Sequence, residues 1–146
     1  MTYENNKIVK VKDADNEEIT IAYNTNSIVL TSKNLTTTIN LSNNKIINVT
    51  NKFGTVNFEY TDNFISKIID TNGEAINFTY FDLAKKVKTI SRTGLNNEVG
   101  ESLSFEYLFD STKVTDNTGH INTYSFNSFG NTIGCFSTKD PDNINE

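Results

Sequence analysis

The chain has almost none of the residues from which most active sites and staples are built: one Cys, one His, one Pro, one Met and no Trp. Cys135 alone closes no internal disulfide, so no oxidised framework holds the fold, and its plain reading is a small hydrophobe. One His and one Cys fall short of a zinc ligand set, and His120, beside Gly119, reads as an exposed turn residue. A nucleophile and base made of Cys135 and His120 lacks a Gly-rich elbow and a third, orienting group. No run approaches the roughly 18 apolar residues of a membrane helix, and Met1-Thr-Tyr-Glu-Asn-Asn6 lacks the apolar stretch of a signal peptide. An internal piece of a longer secreted chain has the same appearance. Basic residues are also short, 13 against 18 acidic ones for a net charge of -5. That balance offers no face for nucleic-acid phosphates. No catalytic residue, metal or cofactor is expected.

What is present is Ile, Val, Phe and Tyr alternating with Thr and Asn, as in Asn34-Leu-Thr-Thr-Thr-Ile-Asn-Leu-Ser-Asn-Asn44. Thr favours strands, whereas Asn favours turns and tolerates positive φ. With no tract of helical period, the pattern predicts an all-β fold with tight turns.

A repeat runs through it. Phe58-Glu-Tyr60, Phe78-Thr-Tyr80, Phe105-Glu-Tyr107 and Tyr124-Ser-Phe126 each set two rings at i and i+2, which in a strand share one face. Upstream of each pair lies a glycine read as a turn residue of positive φ, Gly54, Gly73, Gly100 and Gly119 in turn. Ile21-Ala-Tyr23 and Ile39-Asn-Leu41 continue the skeleton upstream. The expectation is an antiparallel meander of repeated β-hairpins over residues 1–138, about twelve strands curled into a partial shell with the rings on its inner face. Lys139 to Glu146 shows no strand pattern and is expected to form a mobile tail.

Asp116-Asn-Thr-Gly-His-Ile-Asn-Thr-Tyr-Ser-Phe-Asn-Ser-Phe-Gly-Asn131 resembles the rearrangement-hotspot (RHS), or YD, repeat, roughly Asp-x-x-Gly-x-x-x-x-Tyr-x-Tyr-Asp-x-x-Gly, with Phe126 and Asn127 replacing its second Tyr and Asp. Asp70-Thr-Asn-Gly73 through Phe78-Thr-Tyr-Phe-Asp82 matches with one extra residue, and Phe58-Glu-Tyr-Thr-Asp62 is a looser copy. The resemblance implies a β-sheet spiral within a large secreted or cell-surface bacterial protein. It also implies a structural, non-catalytic role, with neighbouring repeats or self-association as the partners.

Three groups compete with that reading. Asp13-Ala-Asp-Asn-Glu-Glu18 gathers carboxylates suited to calcium, yet lacks the loop Gly and a Glu at the twelfth position, so a solvated hairpin tip is expected. Asp62, Asp70, Asp82, Asp110 and Asp116 recur with the hairpins, as turn-capping residues do, which argues against a glycosidase pair. The rings Tyr60, Tyr80, Tyr107 and Tyr124 form the candidate ligand-binding face, for carbohydrate, beside their expected role as core lining. Sequons at Asn34, Asn40, Asn48 and Asn77 follow from Asn/Thr richness alone.

Overall fold

A computed structural model describes residues 1–139 of the chain. The fold is all-β, an antiparallel meander of hairpins with one 3₁₀ turn, Leu95–Asn97. The described residues divide into two compact units, Met1–Gly73 and Glu74 onward. The first holds β1 (Thr2–Glu4), β2 (Lys7–Lys12), β3 (Glu18–Tyr23), β4 (Ser27–Ser32), β5 (Leu35–Ser42), β6 (Lys45–Asn51), β7 (Gly54–Thr61) and β8 (Phe64–Ile69). The second holds β9 (Ala75–Tyr80), β10 (Val87–Thr93), β11 (Val99–Tyr107), β12 (Ser111–Asp116), β13 (His120–Phe126) and β14 (Thr132–Lys139). Within each unit every strand pairs antiparallel with its neighbour in the chain. The expected tail lies outside the described residues, apart from Lys139 at the end of β14.

Register sorts each unit into two chemically distinct faces, because residues directly opposite across an antiparallel pair point the same way. In the first unit Ile28, Ile39, Val49 and Val56 form a row across β4 to β7, and Phe58 faces Ile68. The other face carries the row Thr38, Thr50, Thr55 and the row Asn40, Asn48, Asn57. These groups bond to one another: Asn40 Nδ2 donates to Asn48 Oδ1 at 2.7 Å, and the Thr50 and Thr55 hydroxyls meet at 2.9 Å. In the second unit Phe78, Ile90 and Leu103 align on one face, with Phe105 opposite Val114, while Thr79, Thr89, Ser104 and Thr115 align on the other. All four ring pairs therefore lie on the apolar face of their unit, as their i, i+2 spacing predicts.

Among the described residues of each unit, none forms a second layer over that unit's apolar face. Among the described residues Ala75, 5% exposed, is the single buried one. The chain exposes 10872 Å² of surface, where a compact monomer of 16.4 kDa exposes about 7500 Å².

Glycine use departs from expectation at one position. Gly54, Gly73 and Gly119 have positive φ, but Gly100 lies inside β11, and the positive φ in the preceding loop comes from Asn96 and Asn97. Gly100 answers a different need. A Cβ there would stand 3.1 Å from the Arg92 carbonyl oxygen, where the β10–β11 register shifts.

Candidate functional site

The turns carry a recurrent hydrogen-bonded build. In four of them an Asx carbonyl accepts a bond from the amide three residues on: Asp13 from Asn16, Asp70 from Gly73, Asp116 from Gly119 and Asn127 from Gly130, at 2.9–3.3 Å. The fourth residue has positive φ each time, which Asn16 meets as the glycines do. The Asx side chain then caps the loop. Asp13 Oδ1 accepts from the amides of Asp15 and Glu17, Asp116 Oδ1 from those of Thr118 and His120, and Asn127 Oδ1 from those of Phe129 and Asn131. The repeated Asp-x-x-Gly signal is thus a capping device, and the Asp13–Glu18 loop is one more copy of it. Three of its four carboxylates are engaged with protein groups, Asp13 with the loop amides, Glu18 with Lys10 at 2.8 Å and Glu17 with Lys33 at 3.9 Å. No group of three or more His, Cys, Asp or Glu residues suited to a metal ion occurs among the described residues.

The Thr118 hydroxyl and the amides of His120 and Thr118 hold the Asp116 carboxyl below its ordinary value, and the Lys10 ammonium does the same for Glu18. A carboxylate whose folded value is depressed contributes stability that is present above its unfolded value and lost as pH falls through the folded one. Acid titration of the native chain should therefore loosen the β12–β13 turn. Asp116→Asn, which keeps an acceptor at the same place, should flatten the acid limb of the unfolding curve, and an unchanged limb would show that the turn carries no such linkage.

The candidate rings divide between the units, Tyr60 in the first and Tyr80, Tyr107 and Tyr124 in the second. Tyr60 closes a latch: its hydroxyl donates to the Ile46 carbonyl at 2.8 Å, and Lys45 Nζ stands 5.1 Å from its ring centre. Lys45 also donates to the Asp62 carbonyl. Tyr23 repeats the arrangement, donating to Ile8 at 3.1 Å beneath Lys7 at 4.8 Å. Both latches close over the same turn sequence, Asn-Asn-Lys-Ile at 5–8 and 43–46, whose paired asparagines have positive φ as a type I′ hairpin requires. Tyr107 stacks on Phe105 at 6.3 Å, meets Phe81 edge-on at 6.3 Å and lies under Lys86 at 4.7 Å. Tyr80 sits opposite Val87, half-buried. Tyr124, opposite Thr112 and Cys135, presents its ring to solvent. The latches were absent from the sequence reading, although the doubled Asn-Asn-Lys-Ile was their visible trace.

The second unit has several hollows, and two of them gather apolar and polar groups. One, of about 520 Å³, has an aliphatic floor of Ile76, Ile90 and Leu103 and a polar rim including Arg92, Glu101 and Asp116. Arg92 there is paired with Glu74 at 2.5 Å. The other, of about 610 Å³, opens at the loop edge between Lys86, Tyr107, Phe109, Asp110, Phe126 and Asn127. His120 and Cys135 do not meet. Tyr124 is the residue opposite Cys135, which puts His120 four positions away along β13, about 13 Å. His120 Nε2 bonds the Ser137 hydroxyl at 2.5 Å instead.

No helix among the described residues is long and apolar enough to cross a membrane. Comparison with known proteins finds no family model that matches the chain and no curated protein similar to it.

Proposed function

We propose that the chain is a non-catalytic structural segment, a stretch of RHS/YD-like hairpin repeats that forms part of a sheet shell or stalk in a secreted or cell-surface protein. The observation that carries this reading is the uncovered single layer. The surface exceeds that of a compact monomer by about 3400 Å², more than a standard protein interface of roughly 1600 Å² removes from water, and each unit gathers its rings and aliphatics on one of its own faces. Such a face is built to be covered, by neighbouring repeats of a longer chain or by another copy. The repeated Asp-x-x-Gly turns and paired rings support the extracellular setting through their resemblance to the family. In sedimentation velocity the isolated chain should self-associate as concentration rises, and it should bind an apolar dye strongly. A sharply monomeric species that binds no dye would overturn the proposal.

A carbohydrate-binding module is the second reading. It is favoured by the loop-edge hollow, where Tyr107, Phe109 and Phe126 stand beside Asp110, Asn127 and Ser128, rings next to hydrogen-bonding groups as sugars require. A glycan array run on the same preparation separates the two. Saturable binding lost in Phe109→Ala, a variant that removes a fully exposed ring from the wall of that hollow, would favour the module.

A further inference from the structure

The loops of the second unit alternate between its two edges, since each joins adjacent antiparallel strands. Those after β9, β11 and β13 therefore share one edge, and the loop-edge hollow, lined from all three, sits among them. Each of the three carries one large apolar side chain at its tip, almost wholly exposed: Leu83 at 100%, Phe109 at 106% and Phe129 at 87%. Loops of this edge are two strands apart, so the tips stand about 10 Å from one another and span about 20 Å. The first unit's turns after β1, β3, β5 and β7 carry Asn5-Asn6, Asn24-Thr25-Asn26, Asn43-Asn44 and Asp62-Asn63, with no apolar tip. A hairpin turn thus needs no such residue, and the row is a property of the second unit.

The loops hold their tips outward by their own bonds. Phe81 and Lys86 pair across the first at 2.9 Å, Leu108 and Ser111 across the second at 2.9 Å, and Asn127 caps the third at the amides of Phe129 and Asn131. The Phe126 amide donates to the Asp110 carbonyl at 2.7 Å, tying the second loop to the strand that enters the third.

We propose that this row of tips docks the chain on a lipid surface, with Leu83, Phe109 and Phe129 entering the boundary between headgroups and acyl chains. Separate projecting tips around a recess suit a fluid interface, which closes around each of them, whereas a protein partner would need a contiguous patch. The polar loop groups behind the tips, Asn127, Ser128, Asn131 and the backbone, then lie at headgroup depth. Asp82 and Asp110 balance Lys85 and Lys86 along the edge, so the attraction is apolar and depends little on anionic lipid.

The absence of Trp makes the test direct. Phe129→Trp, with Ile19→Trp on the apolar face of the first unit as the comparison, is titrated with phosphatidylcholine vesicles, and the full chain is assayed by flotation. The Trp replacing Phe129 should shift to the blue and be quenched by brominated acyl chains, with the comparison Trp unmoved. Leu83→Ser and Phe129→Ser should each weaken flotation about tenfold. Binding that needs anionic lipid and vanishes with salt would overturn the proposal, as would a shift confined to the comparison Trp. A shift of the loop reporter that follows protein concentration without vesicles would assign the tips to a second copy instead. The three tip residues are solvent-exposed, so an unchanged far-ultraviolet spectrum should accompany every Ser variant.

Discussion

Gly54→Ala should lower the stability of the first unit by about 3 kcal/mol, the sum of a backbone conformation that L residues avoid and a steric overlap. Gly54 opens β7 with φ at 137°, and a Cβ built there would stand 2.5 Å from Thr71 Cγ2 and 2.8 Å from Thr71 Cβ. Either fault alone is tolerable, but together they leave no small adjustment that relieves both. A layer with no buried core has little reserve against such a loss, since domain stabilities are only about 5–15 kcal/mol. Urea unfolding followed by circular dichroism should show the midpoint falling sharply. Thr71→Ala, which removes the nearer of the two contacts, should restore part of the loss when combined with Gly54→Ala. A midpoint within error of the parent's would mean that the strand start yields more easily than its geometry implies.

The second large effect is expected at Tyr107→Ala, at about 2–3 kcal/mol, because one truncation dissolves three ring contacts. The stack on Phe105, the edge contact with Phe81 and the cover of Lys86 all depend on that ring. Tyr107→Phe keeps the ring and should stay near the parent. By comparison Tyr60→Phe, which removes only the hydroxyl that bonds the Ile46 carbonyl, should cost about 1 kcal/mol. Differential scanning calorimetry of the three variants gives the order directly, and a Tyr107→Ala variant as stable as Tyr60→Phe would show the cluster to be incidental. The result also bears on sugar binding, since a ligand lost with Tyr107 can be lost through unfolding, whereas the fully exposed Phe109 of the same hollow reports on the ligand alone.

The fold was legible because its signals are local. Apolar and polar residues alternate at period two, asparagine pairs and Asp-x-x-Gly mark the turns, and the ring pairs fix which side of the strand is apolar. Gly100 misled because glycine serves two needs, positive φ and close approach, and the sequence does not distinguish them. The latches were hidden for another reason: the Tyr60 hydroxyl reaches a carbonyl 14 residues back, a pairing that follows from register. The loop-tip row depends on parity. Leu83, Phe109 and Phe129 are visible as apolar residues among turn formers, but counting one strand too many or too few between them would send a tip to the opposite edge. The reading of about twelve strands, against fourteen among the described residues, left that parity open.

Nearest-neighbour pairing has a mechanical consequence. In the first unit β1 and β8 are the outermost strands and each is bonded to one neighbour there, so tension applied at its two ends loads the ladder bonds one at a time. Such a unit yields by peeling, hairpin after hairpin, at low force and with large extension, where a sheet loaded in shear would resist until many bonds failed together. Each released hairpin can re-form on the strand left behind, since its turn and register are encoded within itself. A segment of this kind behaves as a compliant spring, and stiffness would come only from whatever covers the apolar side.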